Sequence, residues 1–189
     1  MNRRTAVKNL ALIAGAAALL PACGPETTKE PKASIALKHL AVSARQEQLL
    51  AEVCETIVPR TNTPGAKDLG VHLYVLKMLD DCCEKPEQQA FMSGLTRLEA
   101  ATKRQYGQSF SASSGPQKLQ MLQRLEQHKE NTADLTGFYR TAKRLAVAGY
   151  TNSQYFLTNQ IVYELVPSRY NGYFPLNNVN LSKKHNGQS

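Results

Sequence analysis

PEQQAFMSGLTRLEAATKRQY, residues 86–106, spaces Phe91, Leu95, Leu98, Thr102 and Tyr106 three or four positions apart. That interval brings side chains back to one face of a helix, so the stretch predicts an amphipathic helix lying on a core. Pro86 suits the first turn, where its missing N–H goes unused, and Glu87 sits favourably near the positive helix end. The same period continues on both sides. Upstream, Ser43 predicts a cap with Gln46 as its capping-box partner, Leu49, Leu50, Val53 and Ile57 mark the inner face, and Pro59 stops the helix. A second helix is expected near Val71 to Cys83, carrying Leu73, Leu76, Met78 and Leu79. Downstream, the Ser/Gly-rich stretch from Ser109 to Gly115 predicts a loop and cap. Pro116 then opens a fourth helix, with Leu119, Leu122 and Leu125 on one side. A fifth runs from about Thr132 to Ala148, with Leu135, Phe138, Ala142 and Leu145 inward and Gly149 placed to end it. A short sixth spans Ser153 to Glu164. Nothing alternates as a strand does, no segment repeats, and there is no glycine-rich phosphate loop. The fold class is all-α, an irregular helical bundle of about five to six helices.

Two non-helical stretches stand out. Pro59-Arg60-Thr61-Asn62-Thr63-Pro64-Gly65-Ala66 is a turn-rich loop whose prolines cannot lie inside a helix. At the other end, Tyr155, Phe156, Tyr163, Tyr170, Tyr173 and Phe174 supply six of the chain's thirteen aromatics. Prolines and a glycine interleave them from Val166 to Leu176, which predicts an extended aromatic carboxy-terminal strap. Such a strap either folds back over its own bundle or lies across a partner protein, where tyrosine-rich contacts are favoured.

The first 23 residues, MNRRTAVKNLALIAGAAALLPAC, read as an export and anchoring signal. Arg3 and Arg4 form a twin-arginine pair, Lys8 follows, and an apolar run of 11 residues extends from Leu10 to Leu20. A membrane-spanning helix needs roughly 20, so the run predicts a signal-peptide core. Leu20-Pro21-Ala22-Cys23 is similar to a lipoprotein processing site, with Cys23 as the lipidated residue. The chain therefore divides into a twin-arginine signal peptide over 1–22, a lipid-anchored tether over 23–42, a helical domain over 43–181 and a polar tail over 182–189. The expected location is periplasmic, held to a membrane through Cys23 after twin-arginine export.

Cleavage before Cys23 leaves 167 of the 189 residues and lowers the formal charge from +8 to +5, since the leader carries three cations and no acid. No run of five like charges occurs, which argues against a nucleic-acid face. Cys54, Cys82 and Cys83 remain as an odd set in an oxidising compartment. A bridge from Cys54 to one of the pair involves less strain than a vicinal Cys82–Cys83 bridge. None has haem-attachment or zinc spacing, so no metal is expected. His72, with only Asp68 as a near carboxylate in sequence, reads as a surface or capping histidine, and Asp80, Asp81 and Glu84 read as a solvated helix end. His39 falls in the tether, and His128 and His185 fall in polar stretches. No catalytic residue is assigned.

Glu55-Thr56-Ile57-Val58-Pro59, followed by Thr63-Pro64-Gly65-Ala66 and Gly70-Val71, resembles the signature of the gluconate 2-dehydrogenase subunit 3 family. Gly149-Tyr150-Thr151-Asn152-Ser153 is similar to that family's glycine-tyrosine-aromatic-threonine/serine turn. Val166-Pro167-Ser168-Arg169-Tyr170-Asn171-Gly172 with Pro175-Leu176 is similar to its carboxy-terminal motif. The resemblance covers about residues 44–176. One departure is visible: many members carry a cysteine shortly after the Tyr-x-Gly turn, where this chain has Tyr173, so no role of that cysteine carries over.

The resemblance implies a small, non-catalytic subunit that binds, stabilises and co-exports a larger flavoprotein. That partner would be of the glucose-methanol-choline oxidoreductase type, holding FAD and oxidising a sugar, gluconate or a glucoside, while this chain binds no cofactor itself. Electrons would pass on to a cytochrome c subunit or another acceptor. Pro59, Thr63, Pro64, Gly65, Tyr150, Tyr163, Pro167, Tyr170, Tyr173 and Phe174 are the expected partner interface. Two other readings compete: a stand-alone lipid-anchored helical binding module of the cell envelope, and a thiol-dependent redox enzyme using Cys82 and Cys83.

Overall fold

The computed structural model describes residues 31–127, 133–161 and 173, apart from the side chains of residues 133 and 134. Six helices follow in order: α1 Ala44–Ile57, α2 Val71–Cys82, α3 Lys85–Tyr106, α4 Gly115–Glu126, α5 Ala133–Thr151 and α6 Gln154–Asn159. Among the described residues there is no strand, only an isolated antiparallel bridge between Lys32 and Ser43. The all-α expectation holds. No described helix is long and apolar enough to cross a membrane.

The first helix starts at the capping pair that the pattern singled out. Ser43 caps α1, its hydroxyl accepting from the Gln46 N–H while the Gln46 side chain returns to the Ser43 N–H. Ser114 and Gln117 repeat that reciprocal box on α4. Each arrangement satisfies N–H groups that a helix start otherwise leaves without partners. The long α5 packs against all five other helices. Its Leu135, Phe138, Tyr139, Ala142, Leu145 and Ala146 are buried at steps of three and four, and Phe138 meets Phe91 of α3 with ring centroids 4.8 Å apart.

Several expectations are corrected. Leu119 is exposed and Met121 takes its place in the core, one position before Leu122 and four before Leu125 on the same helix face. Gly149 does not end α5, which runs on to Thr151. A Cβ there would lie 2.7 Å from the Tyr74 ring and 3.2 Å from Val71, so glycine lets α5 close onto α2. Phe110, in the stretch expected to be plain loop, is fully buried.

Residues 31–42, expected to be tether, lie on the bundle. Ala33, Ile35, Leu37 and Leu40 pack on the core, and Val42 belongs to it. Asp80 holds this strap: its carboxylate accepts the backbone N–H groups of Lys38 at 2.7 Å, His39 at 2.7 Å and Leu40 at 2.8 Å. Asp80 is therefore a buried anchor and no solvated helix end. Burial alone would raise its pKa, but the three N–H donors outweigh that and hold the carboxyl below its usual value. A second carboxylate, Glu47, accepts from both the N–H and the hydroxyl of Ser34. Gln88 closes the far end of α2, its amide donating to the carbonyls of Leu79 and Cys83 at 3.0 Å each.

Candidate partner-binding site

The loop between α1 and α2 is built around one carboxylate. Glu55, in the last turn of α1, accepts the N–H of Arg60 at 2.9 Å and the N–H of Lys67 at 2.8 Å. Gly65 passes directly over it: a Cβ at that position would sit 2.3 Å from one Glu55 oxygen and 2.5 Å from the other. Only glycine fits. The loop then closes through the Gly65 N–H to Asp68 at 2.9 Å and the Ala66 N–H to the Val58 carbonyl at 2.9 Å, with Ala66 fully buried. Gly70, in the left-handed region at φ 63°, turns the chain into α2.

The end of α5 meets this loop. The Tyr150 hydroxyl donates to the Pro64 carbonyl at 3.0 Å, with the Thr63 hydroxyl at 3.5 Å. Its ring contacts Phe156 edge-on at 5.9 Å. Ser153 starts α6, accepting from the Phe156 N–H at 3.2 Å and donating to the Tyr150 carbonyl at 2.7 Å. The two separated motifs, Glu55 to Val71 and Gly149 to Ser153, thus form one end of the bundle. A hollow of about 420 Å³ opens beside it, lined by Leu69, Ser153, Gln154, Tyr155, Thr158 and Asn159.

One helical turn before Glu55, Glu52 pairs with Lys67 at 2.5 Å and Lys118 at 2.8 Å, tying α1 to the loop and to α4. Burial opposes ionisation of Glu52, and the two ammonium groups outweigh it, so its carboxyl stays below the ordinary value.

Of the expected interface residues, Pro59 is exposed, Thr63, Pro64 and Tyr150 are half-buried, and Gly65 is buried. Tyr173 is 97 % exposed. Arg3, Arg4, Cys23, Tyr163, Pro167, Tyr170 and Phe174 lie outside the described residues, as do His128 and His185. Tyr155 and Phe156 sit on α6, within the short sixth helix expected from Ser153.

The three described cysteines are free thiols. Cys54 faces the core of α1 while Cys82 is exposed at the end of α2, so no bridge joins them. Burial, with some help from Glu55, pushes the Cys54 thiol up to about 12. Burial and Glu87 also raise Cys83. Both thiols therefore stay protonated and weakly nucleophilic at neutral pH. His72 is corrected too: its Nε2 lies 3.8 Å from Glu47, on another helix, and its side chain is 14 % exposed. Burial lowers its pKa against the opposing pull of Glu47. Among the described residues, no group of three or more His, Cys, Asp or Glu side chains is placed to hold a metal ion.

Nothing in the residue pattern marks Glu55 as the anchor of the loop, Asp80 as the anchor of residues 38–40, or Gln88 as the closure of α2. Glu55 and Gly65 are ten residues apart with two prolines between, the signal of a closed loop whose small residue lies on a polar one. Compared with known families, residues 44–167 match the model described as gluconate 2-dehydrogenase subunit 3. The chain belongs to that family. Comparison with curated proteins and with solved structures returned no match. Membership makes this chain a subunit of a dehydrogenase complex, with a partner subunit implied. The family match ends at 167, so it takes in α1 to α6 and the whole Glu55–Tyr150 end, but not the strap 31–42.

Proposed function

We propose that this chain is the non-catalytic small subunit of a flavin-dependent dehydrogenase complex, and that it binds, stabilises and co-exports the larger subunit. The partner is a glucose-methanol-choline type flavoprotein that holds FAD and oxidises a sugar, gluconate or a glucoside. A cytochrome c or another acceptor takes the electrons. The chain carries the export signal through Arg3 and Arg4 and a lipid on Cys23, which tethers the complex on the periplasmic side of a membrane. Loading FAD needs the cytoplasm, so a folded flavoprotein must be gripped before transport by whichever chain bears the signal.

The observation that supports this reading best is the convergence of two family motifs on one surface end of the bundle, held rigid by Glu55 and Tyr150. The side chains there brace backbone and leave polar groups at the surface, which is the architecture of a docking face.

Detergent extraction of the tagged full-length chain from native membranes tests it. A larger yellow flavoprotein should co-purify. Replacing Arg3 and Arg4 by lysine should then retain both proteins in the cytoplasm. Recovery of the chain alone, or export of the flavoprotein without it, would overturn the reading and favour a stand-alone envelope module.

A further inference from the structure

Residues from Leu145 to Tyr163, 19 in succession, include no Asp, Glu, Lys, Arg or His, in a chain where one residue in five is charged. Up to Ser153 the chain's own packing explains them, since Leu145, Ala146 and Gly149 are buried and Tyr150 and Ser153 are bonded within the chain. From Gln154 on it does not. No residue of α6 is buried, and Gln154, Thr158, Asn159 and Gln160 are exposed. Exposed positions are where charged residues ordinarily concentrate. Another charge-free stretch, Gln105 to Gln117, is accounted for within the chain itself, because it buries Phe110 and Ser113 and builds the Ser114–Gln117 box. Nothing within the described chain explains neutrality on α6.

The α6 side chains are also already ordered. The Thr158 hydroxyl donates to the Gln154 carbonyl at 2.8 Å, the Asn159 amide to the Tyr155 carbonyl at 3.0 Å, and the Gln160 amide to the Tyr155 hydroxyl at 2.9 Å. A surface fixed in this way loses little side-chain freedom when something covers it. Depletion of charge with retained aromatics and hydrogen-bonding groups marks the desolvated centre of a protein interface.

We infer that α6, together with the Leu69 side of the Gly65 loop, is the centre of the face that docks the larger dehydrogenase subunit, and that the partner surface it meets is itself uncharged and hydrogen-bonding. This rests on the reading under Proposed function. Electrostatic matching selects that partner chemistry: a charged partner patch would lose its hydration against α6 and find no counter-charge there. A membrane surface or a nucleic acid would call for cations, and α6 offers none. The hollow of about 420 Å³ between Leu69 and α6 gives a partner side chain an entry lined by hydroxyls and amides. A helix of six residues is about 9 Å long, too short for a standard interface of roughly 800 Å² per side. The contact therefore extends over the neighbouring loop, where Pro59, Arg60, Thr61 and Asn62 are exposed and the Arg60 charge is met by Asp68 at 3.4 Å within the chain.

The test uses the tagged full-length chain co-produced with the larger subunit, comparing wild type with Thr158→Lys, Thr158→Glu and Thr158→Gln. Gln89→Lys on exposed α3 and Gln123→Lys on exposed α4 are controls, and circular dichroism verifies that each variant is helical. Both charged variants should lower captured flavoprotein at least about tenfold, as expected for desolvating an unpaired charge. Thr158→Gln and both controls should capture it normally. Capture unaffected by either charge, with wild type binding, overturns this inference and leaves the proposed function standing. Loss with one sign and gain with the other overturns it as well, since the partner patch is then charged. Failure of wild type to capture any flavoprotein overturns the proposed function and this inference together.

Discussion

Glu55 and Gly65 form the contact on which the α1–α2 loop depends, and it is a contact of exclusion. The carboxylate is fixed by two backbone N–H donors, so it cannot swing aside for a side chain added above it. Gly65→Ala should cost about 1–3 kcal/mol, the usual penalty of overpacking, read as a fall in the urea midpoint. In a Glu55→Ala background the same methyl meets space, so its cost should drop, a non-additivity expected of touching residues. Equal costs in both backgrounds would sink the explanation. Neither residue announced this role in the sequence. Glutamate at a helix end usually reads as solvated, and a glycine after proline reads as a turn. What joins them is the path of the loop, which residue types along the chain do not encode. Asp80 and Gln88 were hidden for the same reason: their partners are backbone groups of other segments.

At the scale of elements, the pattern was far more legible. Helical periodicity is local, so Phe91, Leu95 and Leu98 in α3, and the Ser43 cap, stand where their spacing placed them, and the α4 cap falls within the expected Ser109–Gly115 stretch, at Ser114. Leu119 and Gly149 misled because rotation of α4 and closure of α5 on α2 are set by tertiary packing. Gly137 offers a contrast. It is exposed on α5, and a Cβ there meets nothing within 4 Å. Gly137→Ala should therefore raise stability by about 0.5–1 kcal/mol through helix propensity alone, measured by urea unfolding, and any loss would contradict the open space. The strap 31–42 sets Ala33, Ile35 and Leu37 on the core at every second position, a run too short to read as a strand, and two carboxylates, Glu47 and Asp80, hold its backbone. Asp80→Asn replaces one of the two acceptor oxygens with an NH2 group, which donates and cannot accept. The cost should be roughly 2 kcal/mol, in line with hydrogen bonds to a charged group. Amide exchange should quicken at Lys38, His39 and Leu40 while α3 stays protected, and uniform loss across the bundle would refute a local anchor.

The whole molecule responds to acid through a histidine that is neutral at pH 7, His72, and through carboxylates with lowered folded pKa values, Asp80 and Glu52 among them. His72 is held neutral by burial between α2 and the Glu47 carboxylate of α1. The unfolded chain takes up a proton near the ordinary histidine value of 6.5, the folded chain only at lower pH. Between those values the unfolded state holds more protons, so stability falls as pH falls. Asp80 acts later. Its folded pKa lies below the ordinary 3.8, so its contribution is complete above that value and is lost as pH drops through the folded one. Plotted against pH, the urea midpoint should decline in two separate limbs. His72→Gln should flatten the upper limb and leave the lower, because a glutamine takes up no proton. Asp80→Asn should make the lower limb shallower, with Glu52 keeping its share of it, and leave the upper. The strap and the α1–α2 seam would then be distinct acid-sensitive joints of one bundle. A single limb that shifts as a unit in both variants would mean that Glu47 and Asp80 hold the strap cooperatively, and the two-joint description would fail.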